Sequence, residues 1–290
     1  MKDPSFREDD NQNIKELVLI PLHQAAILGF IQGVTEFIPV SSSGHLVVFQ
    51  HLFGLKEPQL FLDVMLHLGT LLAVLIVFRT DLLQLIRSIW QRVSTGEIDS
   101  GDQSLRLLVL LILASIPVAI IGLVFQDDVE AIFATPLYVG IAFIITGLIL
   151  WLSQFAQQAT KHTGHTTLVD ALLIGCGQAM AIIPGISRAG TTISIALLLG
   201  LNRKLATKFS FLLAIPAIIG ATLLQWQHAP PASLEQWPTI LMATGIAAVS
   251  GYVALKLLIR LVTDGNFSKF AFYCWGIGIL TTWGAIYGYI

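Results

Sequence analysis

Two short polar segments interrupt an otherwise apolar chain, and both carry groups able to do chemistry. The first, at 32–45, reads QGVTEFIPVSSSGH and lies between apolar runs at 17–31 and 46–55. The second, at 183–192, reads IPGISRAGTT. Gln32 and Glu36 are spaced i, i+4, so on a helix they share one face. Two oxygen-bearing groups one turn apart can hold a hard cation such as Mg²⁺ or Ca²⁺; they can equally form a hydrogen-bonded pair at a helix end. Pro39 breaks a helix. Ser41, Ser42, Ser43, Gly44 and His45 follow it. Hydroxyls and free N–H groups at the start of a new helix suit an anion, although capping alone accounts for one serine. In the second segment Pro184 and Gly185 end one helix, and Ser187, Arg188, Gly190, Thr191 and Thr192 open the next. An unpaired arginine at bilayer depth is costly. Arg188 therefore needs a carboxylate, for which Glu36 is the candidate, or a bound anion. A phosphate matches the guanidinium fork well. The two segments are expected to meet and form one phosphate-handling site.

The elements that must position these residues follow from composition. Of 290 residues, 55% are hydrophobic and 12% charged, and mean hydropathy is +0.78. Soluble domains carry about 25% charged residues, so the chain reads as a polytopic membrane protein. No basic stripe supports nucleic-acid binding. Cys176 and Cys274 lack CxxC spacing and read as small core residues. The acidic residues of 1–16 argue against a cleavable signal peptide and mark a polar tail.

Six runs approach the ~20 apolar residues that a span needs: 61–78, 107–125, 137–155, 209–226, 240–261 and 270–290. Four shorter apolar pieces, 17–31, 46–55, 168–183 and 193–201, bracket the two polar segments in pairs. Such pieces predict re-entrant helical hairpins, whose broken backbone must be buried in protein or line a cavity. Gly29, Gln32, Pro39 and Gly44 recur as Gly175, Gln178, Pro184 and Gly190, a shift of 145 or 146 residues. The predicted fold is an all-α polytopic membrane protein: six transmembrane helices plus two re-entrant hairpins, arranged as an inverted repeat. Residues 17–290 form one membrane domain, with repeats at 17–155 and 168–290. Inverted repeats bring discontinuous helices together near the bilayer midplane.

Loop charges orient this layout. Arg79, Arg87, Arg92 and Arg106 fall in one expected loop, and Lys161, Arg203, Lys204, Lys208 and Lys269 in others. The segment with Asp127, Asp128 and Glu130 has no Lys or Arg. Basic loops stay cytoplasmic, so the hairpin at 168–201 enters from the cytoplasm and the first from outside. A single full span over 17–40, with the N-terminus inside, is the other arrangement open. Asp63 and His67, also i, i+4, could orient site residues or pair with each other, and the structural pairing is the favoured reading. Trp90, Trp226, Trp237 and Tyr273 read as an interfacial belt.

The two segments resemble the undecaprenyl-diphosphate phosphatase family of the bacitracin-resistance type. QGVTEF resembles that family's [E/Q]-x-x-x-E motif, PVSSSGH its serine–histidine segment, and PGISRAGTT its P-G-x-S-R-[SA]-x-x-T motif. The similarity extends over most of 22–290, including FSFLLAIPA at 209–217. Gln32 stands where many members have Glu, and Ala189 where Ser is frequent. The resemblance implies hydrolysis of undecaprenyl diphosphate to undecaprenyl phosphate and inorganic phosphate, recycling a lipid carrier for cell-wall synthesis. It implies a divalent cation, Mg²⁺ or Ca²⁺, and a bacterial inner-membrane enzyme whose site opens to the outer face. On this chain Gln32 and Glu36 would hold the metal or position water. Arg188 would bind the diphosphate, with Ser41, Ser43, Ser187, Thr191 and Thr192 around it. Ser42 or His45 would serve as nucleophile or general acid/base, His45 having a suitable unperturbed pKa. The partners implied are a polyprenyl diphosphate and membrane lipid, with a homodimer left open. The competing reading is a transporter or flippase of a lipid phosphate or small anion on the same inverted-repeat scaffold.

Overall fold

A computed structural model describes residues 20–55, 59–95, 102–125, 135–156, 160–228 and 235–290. The tail at 1–16 and the acidic residues Asp127, Asp128 and Glu130 lie outside them. The described residues are helical: α1 (Leu22–Phe37), α2 (Ser42–Leu52), α3 (Leu60–Val77), α4 (Arg79–Thr95), α5 (Gln103–Val124), α6 (Pro136–Leu152), α7 (Leu168–Met180), α8 (Arg188–Leu198), α9 (Arg203–His228), α10 (Trp237–Thr263) and α11 (Phe270–Ile286). Strand-type pairing among them is limited to one bridge, Lys161 with Leu201.

Among the described residues, five helices are long and apolar enough to cross a membrane: α3, α5, α6 with its short extension, α9 and α10. A sixth span was expected at 270–290; its helix, α11, is 17 residues long and falls just short of the other five. The basic segment expected as a loop after 78 is instead the helix α4. Its polar face carries Arg87, Gln91 and Arg92, while Leu83, Ile86, Trp90 and Val93 stay exposed on the other. An i, i+3, i+7 apolar stripe hidden among arginines escapes a reading based on charge alone. Cys274 is buried but Cys176 is exposed, because it falls on the outward side of α7.

Each polar segment joins two short helices whose breaks have local causes. Ile38, ahead of Pro39, takes an extended conformation (φ −60°, ψ 134°), as residues before proline prefer. Ser41 then adopts φ 67° and caps α2, its hydroxyl accepting from Gly44 N at 3.3 Å. At the second break Gly185 takes φ +97°. Ser187 caps α8 in the same way, accepting from Gly190 N at 3.0 Å. Thr167 and Asp170 close a capping box at the start of α7. Both ends of the α7–α8 pair sit side by side: Lys161 N donates to Gly200 O (2.9 Å) and Asn202 N to Lys161 O (3.0 Å). At the opposite end of the bundle Ile20, Phe53, Phe61 and Trp237 join one cluster around the α1–α2 pair.

Packing is carried by small residues. α1 lies on α10, α7 on α5 and α6 on α11. A Cβ added to Gly29 would strike the Ala243 backbone, one at Gly33 the Ala247 carbonyl and Ser250 hydroxyl, and one at Gly175 the Ala114 backbone. Such close backbone approach drives helix association where lipid removes the hydrophobic contribution. Gly33→Leu is expected to destabilise the folded protein by about 3 kcal/mol, since backbone cannot yield as a side chain can. Thermal unfolding in detergent checks this, against Gly276→Ala as a control at an open position.

Candidate active site

The breaks between α1 and α2 and between α7 and α8 touch. Gly185 N donates to Ser41 Oγ at 3.1 Å, and a Cβ on Gly44 would strike Gly185. Across this contact Arg188 Nη2 donates to Glu36 Oε1 at 2.5 Å. Glu36 Oε2 accepts from Gln32 Nε2 at 3.0 Å and from Ser42 Oγ at 2.5 Å. Glu36 is 7% exposed and Arg188 partly buried. Burial makes such a pair strong only where the remaining valences are met. For Glu36 they are; for Arg188 they are not, because Nη1 is buried without a partner.

A cavity of about 650 Å³ opens beside this pair. Glu36, Ser41, Ser42, Ser43, Ser187 and Arg188 line it together, so six of the expected site residues share one cavity wall. The rest of the wall is mostly apolar and comes from α3, α5, the end of α7 and α9. Polar groups converging at one end of an apolar pocket are the usual form of a site for an amphiphilic ligand.

Other expected residues are placed differently. His45 is 4% exposed and outside the cavity wall. Its Nδ1 lies 2.7 Å from the Ser41 carbonyl and its Nε2 2.8 Å from the Tyr273 hydroxyl. A carbonyl only accepts, so Nδ1 carries the proton and Nε2 accepts from Tyr273. Stacked on Tyr273 and edge-on to Phe143, the ring acts as a post under the α1–α2 break. Tyr273, read from sequence as interfacial, is half of that post. Thr192 Oγ1 bonds the Arg188 carbonyl and Ser210 Oγ. Thr191 is buried with its hydroxyl unpartnered. Neither threonine lines the cavity.

Two contributors were not assigned from sequence. His67 lines the cavity, with Nε2 3.5 Å from Glu36 Oε2. Its Nδ1 lies 2.7 Å from the Asp63 carbonyl oxygen, which leaves Nε2 as the basic nitrogen facing the site. The expected Asp63–His67 side-chain couple does not form: the Asp63 carboxylate accepts from Gln50 Nε2 at 2.7 Å. The i, i+4 spacing was the available signal, read for the wrong pair of atoms. Thr146 of α6 fixes the second break: its hydroxyl donates to Gly185 O (2.8 Å) and accepts from Ser187 N (3.0 Å). A lone threonine in an apolar run carries no such signal.

As for a cation, no group of three or more His, Cys, Asp or Glu is placed to hold a metal among the described residues. The Gln32 carbonyl oxygen is buried and unpartnered, on an amide whose nitrogen donates to the Glu36 carboxylate, and Gln32 itself sits behind the cavity wall, outside its lining. That donor set fits a Mg²⁺- or Ca²⁺-type ion that takes most of its ligands from phosphate and water.

The family model described as bacitracin resistance protein BacA matches residues 25–280. An undecaprenyl-diphosphatase of Carboxydothermus hydrogenoformans is 44% identical over 261 residues, 88% of this chain and 94% of that protein. One from Desulfosudis oleivorans is 45% identical over 266 residues, covering 90% and 97%. One from Methanobrevibacter smithii is 41% identical over 272 residues, covering 91% and 97%.

Removing one member of a buried ion pair costs about 3–5 kcal/mol, whereas replacing both costs less. Arg188→Met alone is therefore expected to lower Tm more than the double change Glu36→Gln with Arg188→Met. A thermal-unfolding mutant cycle in detergent measures the difference.

Proposed function

The chain belongs to the bacitracin resistance protein BacA family, and on that premise we propose that it is an undecaprenyl-diphosphate phosphatase, a multi-pass membrane enzyme. It releases inorganic phosphate from undecaprenyl diphosphate and leaves undecaprenyl phosphate. The observation that carries this is the set of three groups gathered from two separate helix breaks. Glu36 holds both Ser42 and Arg188, while Arg188 keeps an unpartnered buried nitrogen at the cavity.

Phosphoryl transfer is catalysed mainly by positioning and charge stabilisation. An incoming diphosphate competes for the guanidinium, which binds phosphate oxygens as a fork. Glu36, released from Arg188, takes the Ser42 proton. The Ser42 oxygen forms a bond to the distal phosphorus as the bridging P–O bond breaks and undecaprenyl phosphate leaves. Water then attacks the phosphoserine, its proton passing to His67 Nε2, while Glu36 returns its proton to the Ser42 oxygen as the serine P–O bond breaks; inorganic phosphate departs with the serine restored, and His67 gives up its proton to solvent. Gln32 and Glu36 would hold the divalent cation, which supplies charge neutralisation at the phosphate oxygens. His45 and Thr146 position the two breaks.

The finer layout is part of the same reading: six spans with two re-entrant hairpins related as an inverted repeat. The matched serine caps at Ser41 and Ser187 support it, as does the exchange of partners in which α1 packs on α10 and α7 on α5. Lys161 lies against Gly200 and Asn202, just ahead of Arg203, Lys204 and Lys208 at the start of α9, and the positive-inside rule supports a cytoplasmic assignment for that end. The cavity runs the other way, towards Leu60, Leu123 and Leu223. That direction supports a site open to the outer face of the inner membrane.

Purified enzyme is expected to release phosphate from a polyprenyl diphosphate in detergent, and Ser42→Ala to lower kcat by about 10³-fold or more, as for loss of a nucleophile. Chelation of divalent cations should suppress turnover, and Gln32→Glu should lower the cation concentration giving half-maximal rate. Movement of substrate across liposomes without phosphate release would favour a flippase instead.

A further inference from the structure

Gln178 is the repeat partner of Gln32, yet its surroundings are different. Gln32 has Glu36 four residues on and donates to it. Gln178 has Ile182 at that position, so the second hairpin offers its amide no carboxylate. The side chain is 2% exposed, and both its Nε2 and Oε1 lack any partner. It lines the same cavity as Glu36, Ser42 and Arg188. Buried polar groups are overwhelmingly satisfied. An amide left open on both atoms at the wall of a site is therefore waiting for a ligand atom.

Its place along the cavity identifies which part of the ligand that is. One turn before it, Gly175 packs on Ala114 of α5; one turn after, Ile182 comes within 4.0 Å of the Cβ position at Gly122. Gln178 thus lies over the stretch of α5 whose Ser115, Val118 and Ala119 form part of the cavity wall. A polyprenyl diphosphate bound with its distal phosphate at Ser42 and Arg188 lays its chain along that wall. The phosphate between the two is the one esterified to the lipid.

We propose that Gln178 binds the lipid-side phosphate of the substrate, its amide N–H donating to a non-bridging oxygen of the group that departs as polyprenyl phosphate. This rests on the phosphatase reading above. The contact strengthens as charge grows on the leaving phosphate, which places it in catalysis as well as binding.

The test uses the full-length enzyme in detergent with farnesyl diphosphate as substrate, and farnesyl phosphate and inorganic phosphate as inhibitors. For Gln178→Leu, kcat/KM is expected to fall about tenfold to a hundredfold, the usual effect of losing a hydrogen bond to a charged group. The inhibition constant of farnesyl phosphate should rise by a similar factor, while that of inorganic phosphate stays put. Tm should hold or rise, because an apolar side chain replaces an unpaired amide. Gln178→Met, of similar length, repeats the measurement should the leucine variant not fold. Unchanged kcat/KM overturns the proposal. So does equal weakening of both inhibitors, which would place the amide on the distal phosphate. A Tm fall of several degrees in both variants also overturns it, making the amide a structural group. Wild-type enzyme that releases no phosphate sinks the phosphatase reading first, and this one with it.

Discussion

The ion pair between Glu36 and Arg188 is the contact on which the rest of the molecule depends. Each residue belongs to a different half of the chain, 152 positions apart, and each sits where a helix has been broken. Neither charge is tolerable alone in a low-dielectric interior. Their attraction fixes the distance between the two breaks, and with it the position of Ser42, whose hydroxyl shares the same carboxylate. A stabilising contact and a reactive arrangement are thus the same contact.

The breaks themselves need support, because free backbone groups are costly away from water. Side chains supply it locally, through the serine caps, and remotely, through Thr146 on Gly185 and Ser187 and through Cys274 near the Pro39 carbonyl. His45 and Tyr273 hold the first break from behind. The glycines bring the supporting helices close enough for these bonds to form. Precision at the site therefore comes from α6 and α11 as much as from the two broken-helix pairs.

The cavity reflects the same division. Its polar end is built by the two breaks, and its long apolar wall by α3, α5 and α9. A site of this form handles a charged headgroup while the attached chain stays in an apolar setting. Such a cavity is the size of a drug-like ligand, smaller than a long isoprenoid chain.

Much of this was legible in the chain itself. Run lengths, the proline and glycine breaks, the low charge content and the paired polar segments announced a helical membrane protein with one site made from two halves. Glu36, Ser42 and Arg188 stood out because such groups are rare among apolar runs. What linear order could not carry is direction. Whether an imidazole turns towards a cavity or a tyrosine, as His45 and His67 differ, depends on how other helices pack around it, Tyr273 lying 228 positions from His45 and Glu36 on a different helix from His67. The exposed stripe of α4 and the latch at Thr146 became visible only once their neighbours were placed. Residue type and spacing record which groups are costly to bury; only packing decides which partner meets that cost.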